Sequence, residues 1–403
     1  MDKLIGHLDA DCFYVSAERV RYRNLIGQAV GVLGNQGACV IAKSYELKAL
    51  GIKTGQPIWE VVPACPEAIF IKRDFRWYEV LSRKMLEIVK RVSPEVEYYS
   101  IDEFFFDASH LVQTFEVDLP SSIIALQNCI LAETGLPVSI GVSWSRTLAK
   151  LMSDANKPFG TMLLLDADEI KDFLKSQPVS EISGIGRRSA MKLAEIGIEN
   201  CFDFTQANRQ RIQRLLTVKG EALWYELNGE AVVPIQTQKA QNKRVSRGGS
   251  MGESTNDPVR LNAWLARNTE RLVEALEQRR LVCERLVLCL EYKTGGGYLR
   301  SVKLPFATSG FSTIFSAAQM LLQSYRESNL VCGMHIEAEL LSNRRQRQLS
   351  LFENETANRI KIDLNEKMGR FALRSGATLH LPEMYADVSH SYDICDVNGK
   401  TCF

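Results

Sequence analysis

The chain has 403 residues, 45% of them hydrophobic and 24% charged, with a formal net charge of +1; this suits a soluble globular protein of two to four domains. No apolar run approaches the ~18 residues that a membrane-spanning helix needs, and Met1-Asp2-Lys3 does not read as a signal peptide. The ten cysteines show neither C-x-x-C pairs nor zinc-spaced histidines and read as reduced, mostly buried thiols of a cytoplasmic protein. A charge this near zero leaves any affinity for nucleic acid to local patches.

Residues 3–8 alternate loosely and predict a buried strand ending at Asp9. Phe13 to Arg19 has helical character, which puts Tyr14 in the turn beyond. By period 2, Asp11 would share a strand face with Asp9, so spacing leaves open which aspartate would bind a metal. Residues 21–74 form a compact insert. In it, strands Val30–Leu33 and Ala38–Ala42 are joined by Gly34-Asn35-Gln36-Gly37, and Ser44 caps a helix Tyr45–Leu50 closed by Gly51. Tyr45 and Lys48 share one face of that helix; periodicity alone makes them a half-buried tyrosine and a solvated lysine.

A long amphipathic helix follows over Phe75–Val92. Val96–Ile101 and Phe104–Phe106 then predict two strands, with Asp102-Glu103 at the tight connection between them. Two carboxylates a few Å apart cannot both stay ionised unless a cation sits between them or one is protonated. A divalent metal satisfies both, with a third acid arriving from the N-terminal Asp-x-Asp. A helix at Ser121–Glu133, a strand at Val138–Val142 and a helix at Thr147–Asn156 complete a β-α-β-β-α-β series, the split βαβ sheet. That topology sets Asp9, Asp102 and Glu103 on adjacent central strands near one end. Lys150 and Lys157 flank the loop Asn156-Lys157-Pro158-Phe159-Gly160; such lysines are solvated by default, but beside metal-bound carboxylates one can reach a phosphate.

Residues 166–228 read as short helices around Ile182-Ser183-Gly184-Ile185-Gly186-Arg187-Arg188, followed by a helix Ser189–Ile196. Two glycines let the backbone approach closely, and amides at a helix N-terminus attract anions, so the pattern is that of a helix-hairpin-helix grip on a DNA phosphate. Gly229 to Gln241, with Pro234 and several glutamines, reads as a linker. An acid-free basic run (Lys239, Lys243, Arg244, Arg247) leads into a second β-α-β-β-α-β series. Its strands are expected near Arg244–Met251, Arg285–Tyr292, Tyr298–Leu304 and Met334–Leu341, its helices near Val259–Arg280 and Ser312–Ser328, and its hairpin at Gly295-Gly296-Gly297. The tail opens with Arg344, Arg345 and Arg347, then sets Leu349, Leu351 and Phe352 in a polar segment with no core of its own, a pattern that marks partner binding.

Five motifs therefore stand in order: Leu8-Asp9-Ala10-Asp11-Cys12-Phe13-Tyr14, Ser44-Tyr45-Glu46-Leu47-Lys48-Ala49-Leu50-Gly51, Ser100-Ile101-Asp102-Glu103, Asn156-Lys157-Pro158-Phe159-Gly160 and the Gly184/Gly186 hairpin. Together, from Met1 to about Leu381, they resemble the Y-family of translesion DNA polymerases, and within it the UmuC branch. The resemblance implies an α+β multidomain fold. Residues 1–20 and 75–165 would be a ferredoxin-like palm, 21–74 the fingers, 166–228 a small helical thumb and 229–241 a linker. Residues 242–342 would be a βαββαβ little finger, and 343–403 a tail with a clamp-binding peptide. The implied activity is template-directed, low-fidelity addition of dNTPs to a primer 3′-OH in the SOS response to DNA damage.

Carried over by motif, Asp9, Asp102 and Glu103 are catalytic and, with the Ala10 carbonyl, hold two Mg²⁺, for which Mn²⁺ can substitute. Asp11 is a neighbour rather than a ligand. Cys12, Phe13, Tyr14, Ala42, Tyr45, Lys48 and Lys157 match the nucleotide site, Tyr14 as the steric gate against a ribose 2′-OH. Gly184, Gly186, Arg187 and Arg244 match primer–template contacts. Gln348-Leu349-Ser350-Leu351-Phe352 is similar to the pentapeptide that docks bacterial polymerases on the sliding clamp, with Gln348, Leu349, Leu351 and Phe352 as its anchors. The UmuC branch also implies a UmuD-like dimer and RecA as partners, in a bacterial cytoplasm at the nucleoid. Lys48 stands where most of the wider family has Arg, and as a point charge would hold the incoming nucleotide more loosely. A nucleotide cyclase shares the sheet and the metals but has no use for the hairpin or the clamp-like peptide. A catalytically silent damage adaptor should lack one of the three acids, and all three are present.

Overall fold

The computed structural model describes residues 3–34, 39–238, 242–325, 329–346, 355–369 and 371–381. The chain divides into two compact units, one ending at Lys239 and the other spanning Ala240–Ala386.

The first unit opens with β1 (Ile5–Ala10), buried along its whole length, and α1 (Phe13–Arg21). The insert comes next: β2 (Val30–Leu33), β3 (Val40–Lys43), α2 (Tyr45–Ala49), α3 (Ile58–Ala64) and β4 (Ile69–Lys72). Ser44 caps α2 as expected, its Oγ accepting from Leu47 N at 3.2 Å. The sequence reading lacked α3 and β4. β4 runs parallel to β2 and completes a three-stranded sheet ordered β3-β2-β4.

The remaining elements of this layer are α4 (Phe75–Val92), β5 (Val96–Tyr98), β6 (Glu103–Asp107), α5 (Leu111–Phe115), α6 (Leu119–Thr134), β7 (Val138–Ser143), α7 (Arg146–Ala155) and β8 (Thr161–Leu163). On α4, Tyr78, Leu81, Met85, Ile88, Val89 and Val92 recur at helical spacing and are buried. They pack with α6 on one face of a sheet ordered β5-β6-β1-β7-β8. The other face carries α7. Gly141 on β7 allows that approach, since a Cβ there would lie 2.2 Å from the Ala149 carbonyl. The strand expected to reach Ile101 stops at Tyr98, because the Tyr99 and Ser100 amides both turn back to the Glu103 carbonyl, at 3.2 and 3.1 Å.

Helices α8 (Ala167–Ser176), α9 (Arg187–Ala194), α10 (Cys201–Gln206) and α11 (Arg209–Leu227) follow. The helix after the glycine turn begins at Arg187, two residues earlier than expected, because Gly184 at φ +100° reverses the chain and Gly186 forms the cap. Beyond α11, part of the expected linker is fastened down: Ile235 is buried, and the Gln236 amide donates to Glu97 at 2.7 Å.

The second unit contains β9 (Arg244–Thr255), α12 (Pro258–Gln278), β10 (Leu281–Tyr292), β11 (Gly297–Thr308), α13 (Phe311–Gln323) and β12 (Val331–Asn343). The expected element series is present, with the order β11-β10-β12-β9. Here the last strand lies between the first two; in the first unit, the third strand of the series does. A further helix, α14 (Glu355–Met368), was not expected from sequence. It is tied to α12 by Lys361 on Glu270 at 2.7 Å, and Leu381 beyond it enters the core. Gln348, Leu349, Leu351 and Phe352 lie outside the described residues.

Candidate active site

Asp9 is the penultimate residue of β1, and the register places it opposite Glu103, the first residue of β6. Cross-strand partners project to the same face, here the face that carries α7. The Ala10 amide donates to the Asp102 carbonyl at 2.9 Å, which folds the acidic turn onto the end of β1. Asp9, Asp102 and Glu103 are thus brought to one end of two central strands.

Two lysines meet these acids. Lys157 Nζ lies 2.8 Å from Asp9 Oδ1 and 2.8 Å from Asp154 Oδ1. Lys150 Nζ lies 2.6 Å from Glu103 Oε1 and 3.5 Å from Asp154 Oδ2. Asp102 accepts from the Ser100 hydroxyl. Burial raises the Asp9 pKa, with Lys157 opposing and Glu103 adding to the rise. Burial also raises Asp102, against the Ser100 hydrogen bond. For Lys150, burial favours loss of the proton, but Asp154 and Glu103 outweigh it and the pKa rises. The ammonium groups stay charged while the carboxylates remain crowded.

Among the described residues, no three His, Cys, Asp or Glu side chains converge closely enough to hold an ion by themselves. The donor set nevertheless fits a hard divalent cation. All its ligand atoms are oxygens; of four buried or half-buried carboxylates, Asp9, Glu103 and Asp154 share two ammonium groups and Asp102 meets neither of these two.

Asp11 does not share the strand face of Asp9. β1 ends at Ala10, and the chain turns at Cys12, which adopts φ +46°. Asp11 is 1% exposed and accepts from Ser139 Oγ at 3.0 Å and from the Phe159 amide at 2.7 Å. It therefore ties the end of β1 to β7 and to the loop that carries Lys157. Lys157 itself sits on Asp9 instead of standing solvated.

The expected nucleotide residues surround the same end. The Tyr14 ring stacks on Tyr78 at 4.6 Å and meets the edge of Phe75 at 5.7 Å. Tyr78 is fixed in turn by its hydroxyl, which donates to the buried Glu18 at 2.7 Å. Phe13 is a core residue, whereas Cys12 and Ala42 are half-buried. The Tyr45 hydroxyl points at Asp11, 3.4 Å away, and the exposed Lys48 lies over the Tyr45 ring at 6.0 Å. Away from this site, Gly184, Gly186 and Arg187 form an exposed turn. In the second unit, Arg244 contacts Glu337 at 3.3 Å and Glu339 at 3.8 Å.

Sequence reasoning noted Lys150 but gave it no role, and it passed over Asp154. The signal was available: Lys150 and Asp154 stand at i and i+4 on the helix that faces the acids, and Lys157 follows in the loop just beyond its end.

Two family models match the chain, impB/mucB/samB over residues 8–154 and the impB/mucB/samB C-terminal domain over residues 242–351. The first runs from the end of β1 through the insert and the acidic turn, and the second takes in the four-stranded sheet. The chain belongs to this family, the Y-family of translesion DNA polymerases. DNA polymerase IV 1 of Bacillus subtilis is 29% identical over 399 residues, covering 94% of each chain. DNA polymerase IV of Methanoculleus marisnigri is 29% identical over 356 residues, covering 87% of this chain and 98% of its own. Among solved structures, a Y-family DNA polymerase chimera of Dbh and Dpo4 superposes with a TM-score of 0.72 at 21% identity, over 84% of this chain and 99% of that one; this likeness concerns the fold. Among the described residues, no helix is long and apolar enough to cross a membrane.

Proposed function

We propose that this DNA-directed DNA polymerase adds dNTPs to a primer 3′-OH at Asp9, Asp102 and Glu103, and that it synthesises past damaged template bases. The observation that carries the reading is the register of Asp9 against Glu103, closed by the Ala10–Asp102 hydrogen bond. Asp9, Asp102, Glu103 and the Ala10 carbonyl would hold two Mg²⁺, or Mn²⁺ in their place. When bound, these ions would lower the pKa of the primer hydroxyl and neutralise the triphosphate.

The chain's own groups do the rest. Lys157 leaves Asp9 for a phosphate oxygen, and Lys48 and Tyr45 approach the triphosphate from the insert. Lys150 keeps Glu103 turned toward the site. Tyr14, backed by Tyr78, closes the space that a ribose 2′-OH would need. In this reading the five-stranded sheet is the palm, the insert the fingers, helices α8–α11 the thumb and the four-stranded sheet the little finger. Gly184, Gly186, Arg187 and Arg244 contact DNA phosphates. The tail peptide Gln348–Phe352 takes the sliding clamp.

Within the family we assign the chain to the UmuC branch on the strength of Lys48, with an SOS role and a UmuD-like dimer and RecA as partners; the relatives described above are named DNA polymerase IV. Primer extension on undamaged and abasic templates tests the reading. Wild type should extend both with Mg²⁺, and Asp102→Ala neither, while primer–template affinity stays within a few-fold. Equal loss of binding would make Asp102 a structural acid. Replacing Leu351 and Phe352 by Ala should remove clamp stimulation and spare activity on bare primers.

A further inference from the structure

Behind the acidic turn lies a second buried charge cluster that the reaction does not use. Glu97 on β5 and Arg146 at the start of α7 are 7% and 9% exposed and form a bidentate pair, with Nη2 to Oε1 at 3.0 Å. Both then reach the chain that leads out of this unit. Arg146 Nη1 donates to the Pro234 carbonyl at 2.9 Å, and the Gln236 amide donates to Glu97 Oε2 at 2.7 Å. Glu226, 1% exposed, adds a second clasp: its carboxylate accepts from the Val233 amide and the Thr147 amide, each at 3.0 Å. Ile235 is buried between the Pro234 and Gln236 contacts.

The other side of the same pair packs against the acids' own support. The Arg146 guanidinium lies 4.1 Å from the Phe105 ring centroid and 5.9 Å from that of Tyr99, and Tyr99 meets the edge of Phe105 at 5.3 Å. Phe105 is two residues past Glu103 on β6 and stands opposite Glu97. Tyr99 opens the acidic turn, its amide N–H donating a hydrogen bond to the Glu103 carbonyl. A second route runs along α7. Glu226 satisfies an otherwise orphan amide at the N-terminus of that helix, and the same helix carries Lys150 to Glu103.

We propose that Glu97 and Arg146 are positioning residues that couple the docked segment 233–236 to the acidic turn 99–102, so that releasing the segment loosens the acids. A guanidinium in this setting makes bonds to one carboxylate, one carbonyl and two ring faces at once. Losing the segment leaves a buried charge pair with two unmet partners, and the pair relaxes by moving against Phe105 and Tyr99. The docking does not depend on the polymerase reading; only its consequence for catalysis does.

Hydrogen exchange read by mass spectrometry on the full chain tests the coupling. Gln236→Pro removes the amide that Glu97 accepts and touches no side chain near the acids. Exchange should accelerate about tenfold, the size of one charge-assisted hydrogen bond, in peptides covering 232–236 and also in those covering 96–106. The paired neutral substitution Glu97→Gln with Arg146→Met leaves no unpaired buried charge and should do the same. Thr237→Pro, one residue beyond the docked segment, should do neither. A released segment beside an unchanged 96–106 overturns the proposal, as does a Gln236→Pro segment that stays protected. Primer extension with Gln236→Pro should show a lower kcat at nearly unchanged KM for dNTP. If wild type extends no primer while the exchange result holds, the functional reading fails and the coupling stands.

Discussion

The two large sheets of this chain arise from the same β-α-β-β-α-β series and place their charges differently. In the first unit the strand placed between the first two is β6, whose opening residue is Glu103. In the second unit it is β12, which opens with Val331 and carries Glu337 and Glu339 in its middle. The first arrangement ends two central strands on facing carboxylates, with half-buried lysines paired to them. The second lays charges along strands of twelve and thirteen residues, with Arg244 and Arg285 beside Glu337 and Glu339. Identical element order therefore does not specify a site; the strand order decides which residues meet. In the proposed reading the converging end carries the chemistry on phosphorus and Arg244, on the extended face, contacts the DNA backbone.

Substitutions can break this contrast. The largest effect on the fold is expected at Asp11, which serves the converging end without touching substrate. Asp11→Ala strands the Ser139 hydroxyl and the Phe159 amide, and thermal or urea unfolding should show a loss of roughly 3 kcal/mol. Next is Tyr14→Ala, which opens the space in front of Tyr78. Competition between rNTP and dNTP should shift toward ribonucleotides by roughly tenfold; an unchanged ratio would remove the gate from Tyr14. The smallest effect belongs to the extended face. Arg244→Ala should weaken primer–template binding a few-fold and reduce the salt dependence by about one counterion, with the rate of bound complexes unchanged. A slower chemical step in Arg244→Ala would erase the division of labour between the two sheets.

Much of the converging end was legible in the sequence. Alternation placed β1, the aromatic runs placed β5 and β6, and the helical spacing of α4 fixed its limits at Phe75 and Val92. What escaped were features set by tertiary partners. The face of Asp11 depends on a positive φ at Cys12, which period-2 reasoning cannot see. The end of β5 depends on two amides returning to the Glu103 carbonyl. β4 is four residues long and shows as a strand only because β2 lies beside it. The docked half of the linker resembled ordinary Pro- and Gln-rich chain, and only the short apolar run ending at Ile235 hinted at a buried anchor. Strand order in the second unit has no local signature at all.

The most direct test of the account is single-turnover incorporation of one correct dNTP by wild type and Asp102→Ala, with primer–template affinity measured on the same preparations. The account predicts a rate lower by roughly 10²–10³-fold or more with DNA affinity within a few-fold. A rate that falls only in step with DNA affinity, or that survives the substitution, would contradict the assignment of chemistry to the end of β1 and β6.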